Sequence, residues 1–88
     1  MRLDKFLKDT GIIRRRTVAK DLADANRIQI DGRQARASAT VRPGQRLTLD
    51  LGRKVATYEI LAIPERTPRK NEAEGFVRLV DEEIREDW

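Results

Sequence analysis

The amino-acid sequence predicts an α+β domain in which two short N-terminal helices pack on a small antiparallel β-sheet. Three observations carry this reading. Apolar residues recur at helical spacing as far as Ala25, the period changes to two from Ile28 onward, and the turn dipeptides Asp31-Gly32 and Pro43-Gly44 punctuate that second stretch. The chain has 88 residues, one small domain. A domain of this size buries only roughly 60–65% of the surface its unfolded chain exposes, which leaves no room for a second domain with an enclosed cleft.

The first helix spans residues 2–8, where Leu3, Phe6 and Leu7 fall at i, i+3 and i+4, and Asp9-Thr10-Gly11 ends it. Ile12 and Ile13 form an apolar pair that tucks under the next element. A second helix runs from Arg15 to Ala25, with Val18, Ala19, Leu22 and Ala23 on one side and Arg16 and Lys20 on another. Asn26 stops it, because asparagine tolerates the left-handed conformation after a helix.

Ile28 and Ile30 then alternate with Arg27 and Gln29, and Asp31-Gly32 marks a tight hairpin turn. After Pro43-Gly44, a strand reads from the alternation of Leu47, Leu49 and Leu51 with Thr48 and Asp50. Gly52-Arg53 turns the chain into a further strand from Val55 to Ile63, which Pro64 ends. Residues 64–74 read as a loop. Phe76 to Val80 fit either a last strand or the start of a helix, and Asp81 to Trp88 form a loosely held acidic tail. The compact domain is thus expected over residues 1–63, with the loop, last element and tail in residues 64–88. By periodicity Leu3, Phe6, Leu7, Val18, Leu22, Ile28 and Ile30 are core residues without a ligand role.

Composition removes several chemistries. With no cysteine, disulfides, thiolate nucleophiles and cysteine zinc sites are excluded. With no histidine, the usual general base near neutral pH and the commonest metal ligand are missing. Carboxylates such as Glu59 and Glu65 remain, but no pair shows an acid/base arrangement. No cofactor or metal is expected. No apolar run approaches the roughly 18 residues of a membrane span, and the first residues, Met1-Arg2-Leu3-Asp4-Lys5, lack a signal-peptide core. The expectation is a cytoplasmic, non-catalytic monomer that does not meet membranes.

Charge is laid out unevenly. Residues 1–54 hold 14 Lys/Arg against 6 Asp/Glu, a net of +8, whereas residues 55–88 hold 5 against 9, a net of −4. A basic surface on a small domain suits nucleic acid, because neutralising phosphates releases counterions. The candidate contacts are Arg2, Lys5, Arg14, Arg15, Arg16, Lys20 and Arg27. Arg2 and Arg16 lead, since the planar guanidinium binds phosphate through two bonds where lysine offers a point charge. Two adjacent helix N-termini would add free backbone N–H groups. Asp4 has two readings: it complements the helix dipole, or it orients Arg2 or Arg16. The aromatic residues Phe6, Tyr58, Phe76 and Trp88 all lie outside the basic cluster, which disfavours readers that stack single-stranded bases and favours folded RNA. A rival class is a regulatory module whose basic face binds an acidic protein.

The same residues resemble the RNA-binding domain of small-subunit ribosomal protein four, the S-four domain, whose motif is named for its α-L arrangement. The family's opening Arg-Leu-Asp-x-x-Leu is matched by Arg2, Leu3, Asp4 and Leu7, and its second-helix Arg-x-x-Ala-x-x-Leu by Arg16, Ala19 and Leu22. The strand and turn Gly-x-Val-x-Val-Asn-Gly is matched in spacing by Asn26 to Gly32, and a later Pro-Gly turn by Pro43 and Gly44. The match covers about residues 1–52. Arg15 stands where the family often has a capping serine, Gln45 where it has aspartate, and Asn26 and Asp31 replace glycine and asparagine; no basic residue is lost.

Among stand-alone members, the chain is similar to those of bacterial ribosome-associated quality control, through residues 2–8 and 15–20 and its acidic end. The heat-shock S-four proteins, which recycle large subunits with stalled chains, are the alternative; they usually carry an early tryptophan and a longer basic extension. The first resemblance implies binding to obstructed large ribosomal subunits, contact with large-subunit rRNA, and a hold on the P-site peptidyl-tRNA. It further implies support for template-free alanine tailing of the stalled chain, with a separate tRNA-recruiting elongation factor as partner.

Overall fold

The computed structural model describes residues 1–65 and 75–85. Helix α1 spans Leu3–Asp9 and helix α2 Arg16–Asp24; strands follow as β1 (Ile28–Ile30), β2 (Arg33–Gln34), β3 (Arg46–Asp50), β4 (Lys54–Ile60) and β5 (Val77–Ile84). All pairings are antiparallel, and the sheet order is β2-β1-β3-β4-β5. The α+β architecture expected from the sequence is the one present.

Local chemistry explains each junction. The Thr10 hydroxyl donates to the Phe6 carbonyl at 2.8 Å, closing α1, and Gly11 leaves it with φ +78. Asn26 ends α2 at φ +60, as its side chain allows. The β1–β2 hairpin has a two-residue loop, because Ile30 pairs with Arg33. Asp31 and Gly32 both take positive φ, +51 and +81, the backbone that the right-handed strand twist demands of such a loop. Asp31 also accepts the Arg46 backbone N–H at 2.9 Å, tying the hairpin tip to the start of β3.

The core lies on one face of the sheet, where period-two alternation meets the helical stripe. Cross-strand neighbours share a face, so Ile28, Leu49 and Ala56 form one row and Leu47 sits between Ile30 and Tyr58. Leu3, Phe6 and Leu7 of α1 cover these rows and are fully buried, as are Leu47, Leu49 and Ile60. Helix α2 contributes small residues, Ala19 and Ala23, which let it lie close.

Three expectations need correction. Val18 is 43% exposed rather than core. The inward stripe of α2 is centred on Ala19 and Ala23 with Leu22 at its margin, and Val18, a step of about 100° from Ala19, falls outside it. The fourth strand ends at Ile60, short of Ile63, because Leu61 and Ala62 donate to the Phe76 carbonyl instead of continuing the ladder. Finally, Asp81 to Ile84 are not a loose tail. They form the second half of β5, with Asp81 opposite Thr57 and Ile84 opposite Lys54, and a bulge between Thr57 and Tyr58 admits Val80 as an extra residue. Arg85 closes that end by bonding Asp50 and by donating its N–H to the Arg53 carbonyl. The expected loop over 66–74 and the acidic end with Trp88 lie outside the described residues.

Phe6 is the largest fully buried side chain. Phe6→Ala is expected to cost about 3–5 kcal/mol, a large part of what a domain of this size holds in reserve. Urea melts of the two proteins check this, and a midpoint unchanged from wild type would remove Phe6 from the core.

Candidate nucleic-acid interface

The basic groove is assembled by the way the chain start is held. Residues 37–41 run alongside the first turn of α1: the Leu3 N–H donates to the Ala39 carbonyl at 2.8 Å, Asp4 N–H to Ala37 at 3.1 Å, and Val41 N–H to Met1 at 3.1 Å. Arg2 lies within this ladder, bridged to Thr40. Its backbone is therefore fixed on both sides while its side chain remains 55% exposed.

Asp4 then fixes the guanidinium groups. It is 4% exposed, a charged residue that burial would penalise unless it were partnered. The Lys5 backbone N–H donates to its Oδ1 at 2.8 Å, and Arg2 Nε donates to the same oxygen at 3.3 Å. Arg16, from α2, approaches with Nε 3.1 Å from Oδ2 and Nη2 3.3 Å from Oδ1, a two-pronged contact. Desolvation pushes the Asp4 carboxyl up. The Arg16 hydrogen bond, the Lys5 N–H and the charges of Arg16 and Arg2 together outweigh it, so the carboxyl is held below its ordinary 3.8. Of the two readings of Asp4, the contacts are those of the residue that orients both arginines.

Two connected hollows result. One, of about 330 Å³, is lined by Arg2, Asp4, Arg16, Thr17 and Lys20. The other, of about 400 Å³, shares Arg2 and Lys20 and continues past Asn26 to Arg36 and Ser38. No aromatic side chain lines either among the described residues. Arg2, Arg16 and Lys20 thus come together, whereas the remaining candidates are distributed differently. Arg14 and Arg15 are exposed at the mouth of α2. Lys5 is on α1 with its ammonium 2.6 Å from Asp9. Arg27 stands apart: it lines a separate hollow with Asn26, Gln29, Thr48 and Asp50, whose carboxyl is held low chiefly by the Gly52 N–H and further by the Arg85 and Arg27 charges.

Two features differ from expectation. The N–H groups of α1 are not free for phosphate, since Ala37, Ala39, the Asp4 carboxylate and the Arg2 carbonyl accept those of Leu3 to Phe6. Side chains must therefore carry any anion contact at that helix. The groove also gains Arg36, which the sequence reading passed over. Its place depends on the docking of residues 37–41 onto α1, and no local pattern announces that contact.

Because Asp4 titrates lower folded than unfolded, its contribution to stability is present above about pH 4 and is lost as the pH falls through its folded value. Asp4→Asn is expected to flatten this acid limb and to cost about 1–3 kcal/mol near neutral pH, where two arginines lose their acceptor. Urea titrations across the acid range test both parts; an unaltered acid limb would remove Asp4 from this role.

The S4 domain model matches residues 1–47. The "RQC P-site tRNA stabilizing factor" of Bacillus subtilis is 43% identical over 98% of this chain and 100% of its own length. The protein of the same description from Halalkalibacterium halodurans is 42% identical, covering 94% of this chain and 93% of that one. Among solved structures, the trimeric Vibrio cholerae heat shock protein 15 superposes with a TM-score of 0.82 at 26% identity, covering 91% of this chain and 81% of that one.

Proposed function

The chain belongs to the S4 domain family, and on that premise we propose that it is a cytoplasmic RNA-binding factor of bacterial ribosome-associated quality control, with no catalytic activity of its own. The observation that carries this is the pair of guanidinium groups, Arg2 and Arg16, held side by side on one buried carboxylate at the edge of an open groove. Both remain about half exposed while their orientation is fixed, so little side-chain freedom is lost when a phosphate arrives. Lys20 and Arg36 extend the positive lining, and Arg14 and Arg15 flank it. A groove without aromatic walls suits the backbone of folded RNA. The relatives described as P-site tRNA stabilizing factors support assigning that RNA to the ribosome.

In its fuller form, the chain binds obstructed large subunits through rRNA and holds the P-site peptidyl-tRNA. It thereby supports template-free alanine tailing by a separate tRNA-recruiting elongation factor. Arg2, Arg16 and Lys20 make the central contacts, Asp4 positions the two arginines, and Arg14, Arg15 and Lys5 add electrostatic attraction. Arg27 faces another part of the surface and is assigned at most a peripheral contact. The structural similarity to heat shock protein 15 favours one second reading, recycling of large subunits with stalled chains.

Gradient co-sedimentation of tagged protein, with sequencing of the retained RNA, separates these outcomes. Migration with large subunits that retain peptidyl-tRNA is the expected result; protein left at the top, or following an acidic protein, would sink the RNA reading. In purified form, affinity for folded RNA should drop about a thousandfold between 50 and 200 mM salt, as roughly six phosphate contacts imply. Arg16→Ala and Arg36→Ala should each lower the salt slope by about 1 while keeping the wild-type circular dichroism spectrum. Slopes equal to wild type would place both residues outside the interface.

A further inference from the structure

Strand β5 is one edge of the sheet, with no strand beyond it among the described residues. Its inward neighbours on β4, Ala56 and Ile60, are fully buried, yet β5 is exposed along nearly its whole length. Of the five exposed large apolar side chains among the described residues, Leu79, Val80 and Ile84 all belong to β5. Leu79 lies on the core-side face opposite Tyr58, with Ile84 opposite Lys54 and Glu82 opposite Ala56 on the same face. Asp81 and Glu83 point to the other face, opposite Thr57 and Val55. Neither carboxylate has an ion-pair partner among the described residues, whereas Arg78 is engaged with Glu59, and Glu82 lies 3.7 Å from Lys54. The edge therefore has one mainly apolar face, on which Lys54 offsets Glu82, and another on which Asp81 and Glu83 have no ion-pair partner among the described residues.

A strand whose only task is to stay unpaired carries charge and bulges. β5 has both, but it also exposes an apolar row that such protection would omit. Its chemistry selects among occupants. RNA is repelled by Asp81, Glu82 and Glu83. A second copy pairing edge to edge would bring its own acidic triplet alongside this one. A strand with basic residues on one face and apolar residues on the other matches both faces at once, since directly opposed cross-strand residues share a face.

We propose that β5 is a docking edge for a protein partner, which adds an extended segment with alternating basic and apolar side chains beside Val77–Ile84. Backbone bonds to the free edge supply register-independent affinity, and the two faces supply selection. This surface is separate from the Arg2–Arg16 groove, so the proposal stands independently of the RNA reading, and both could be engaged together.

The test uses the isotope-labelled full chain in NMR titrations with a short synthetic peptide alternating lysine and valine, and a glutamate–valine peptide as control. Expected are shifts and slowed amide exchange confined to residues 77–84, with the amides around Arg2 and Arg16 undisturbed and no response to the control. Asp81→Lys combined with Glu83→Lys should weaken the lysine peptide about tenfold, with circular dichroism confirming the fold. Leu79→Ser, exposed and away from the carboxylates of the outer face, should weaken it as well. The proposal fails if the peptide perturbs the whole surface, if the control binds equally, or if the charge reversal leaves affinity unchanged. It also fails if protection of β5 is already present without peptide in a sample that sediments as a dimer, which would assign the edge to a second copy.

Discussion

The Asp4 carboxylate is the interaction on which the working surface depends. It joins Arg2, just before α1, and the first turn of α1 itself to Arg16 at the start of α2. A buried anion with fewer donors would be costly and would tend to take up a proton. Here the donors are the same guanidinium groups that the groove displays. Stabilising the carboxylate and orienting the cations are therefore one arrangement, and neither arginine needs a dedicated support of its own.

That arrangement requires the backbone beneath it. Residues 37–41 satisfy the first N–H groups of α1 and hold Met1 to Asp4 in place. The strand that feeds this segment, β2, is only two residues long, and a hairpin loop with two positive-φ residues sets its register. The hydrophobic core, built from α1 on the β1–β3–β4 rows, keeps α1 and the sheet in a fixed relation. A change in the hairpin would thus reach the groove through residues 37–41, although no hairpin residue lines the pair of arginines.

The sheet also separates charge. The core on the helix side is built on β1, β3 and β4, and β5 lies at the sheet edge, so its acidic residues Asp81, Glu82 and Glu83 are displayed away from the basic groove. Among the described residues, part of the asymmetry along the sequence thus becomes one across the molecule. A surface of mixed sign would offer phosphate a weaker field; distance and the intervening core keep the two signs apart.

Much of this was legible beforehand because it is local. Period-3.6 and period-2 spacing located the helices and β1, β3 and β4, and Asp31-Gly32 and Asn26 announced their own backbone conformations. Arg2, Asp4, Arg16 and Lys20 could be named as a group, since helical spacing and the family resemblance both point to them. Val18 was misjudged because four apolar residues over two turns define a stripe only to within a residue; which one is excluded depends on what the helix packs against. The acidic half of β5 was unreadable because a strand at an edge need not alternate, and its order comes from pairing with β4. The sequence by itself determined where the chain can bend, which segments carry an apolar face, and where positive charge is dense, all properties of neighbouring residues. Only the tertiary structure decided that Asp4 grips Arg16 as well as its neighbour Arg2, that Arg36 joins their groove, that Arg27 does not, and that β5 has no strand beyond it among the described residues, because each depends on how separate segments pack together.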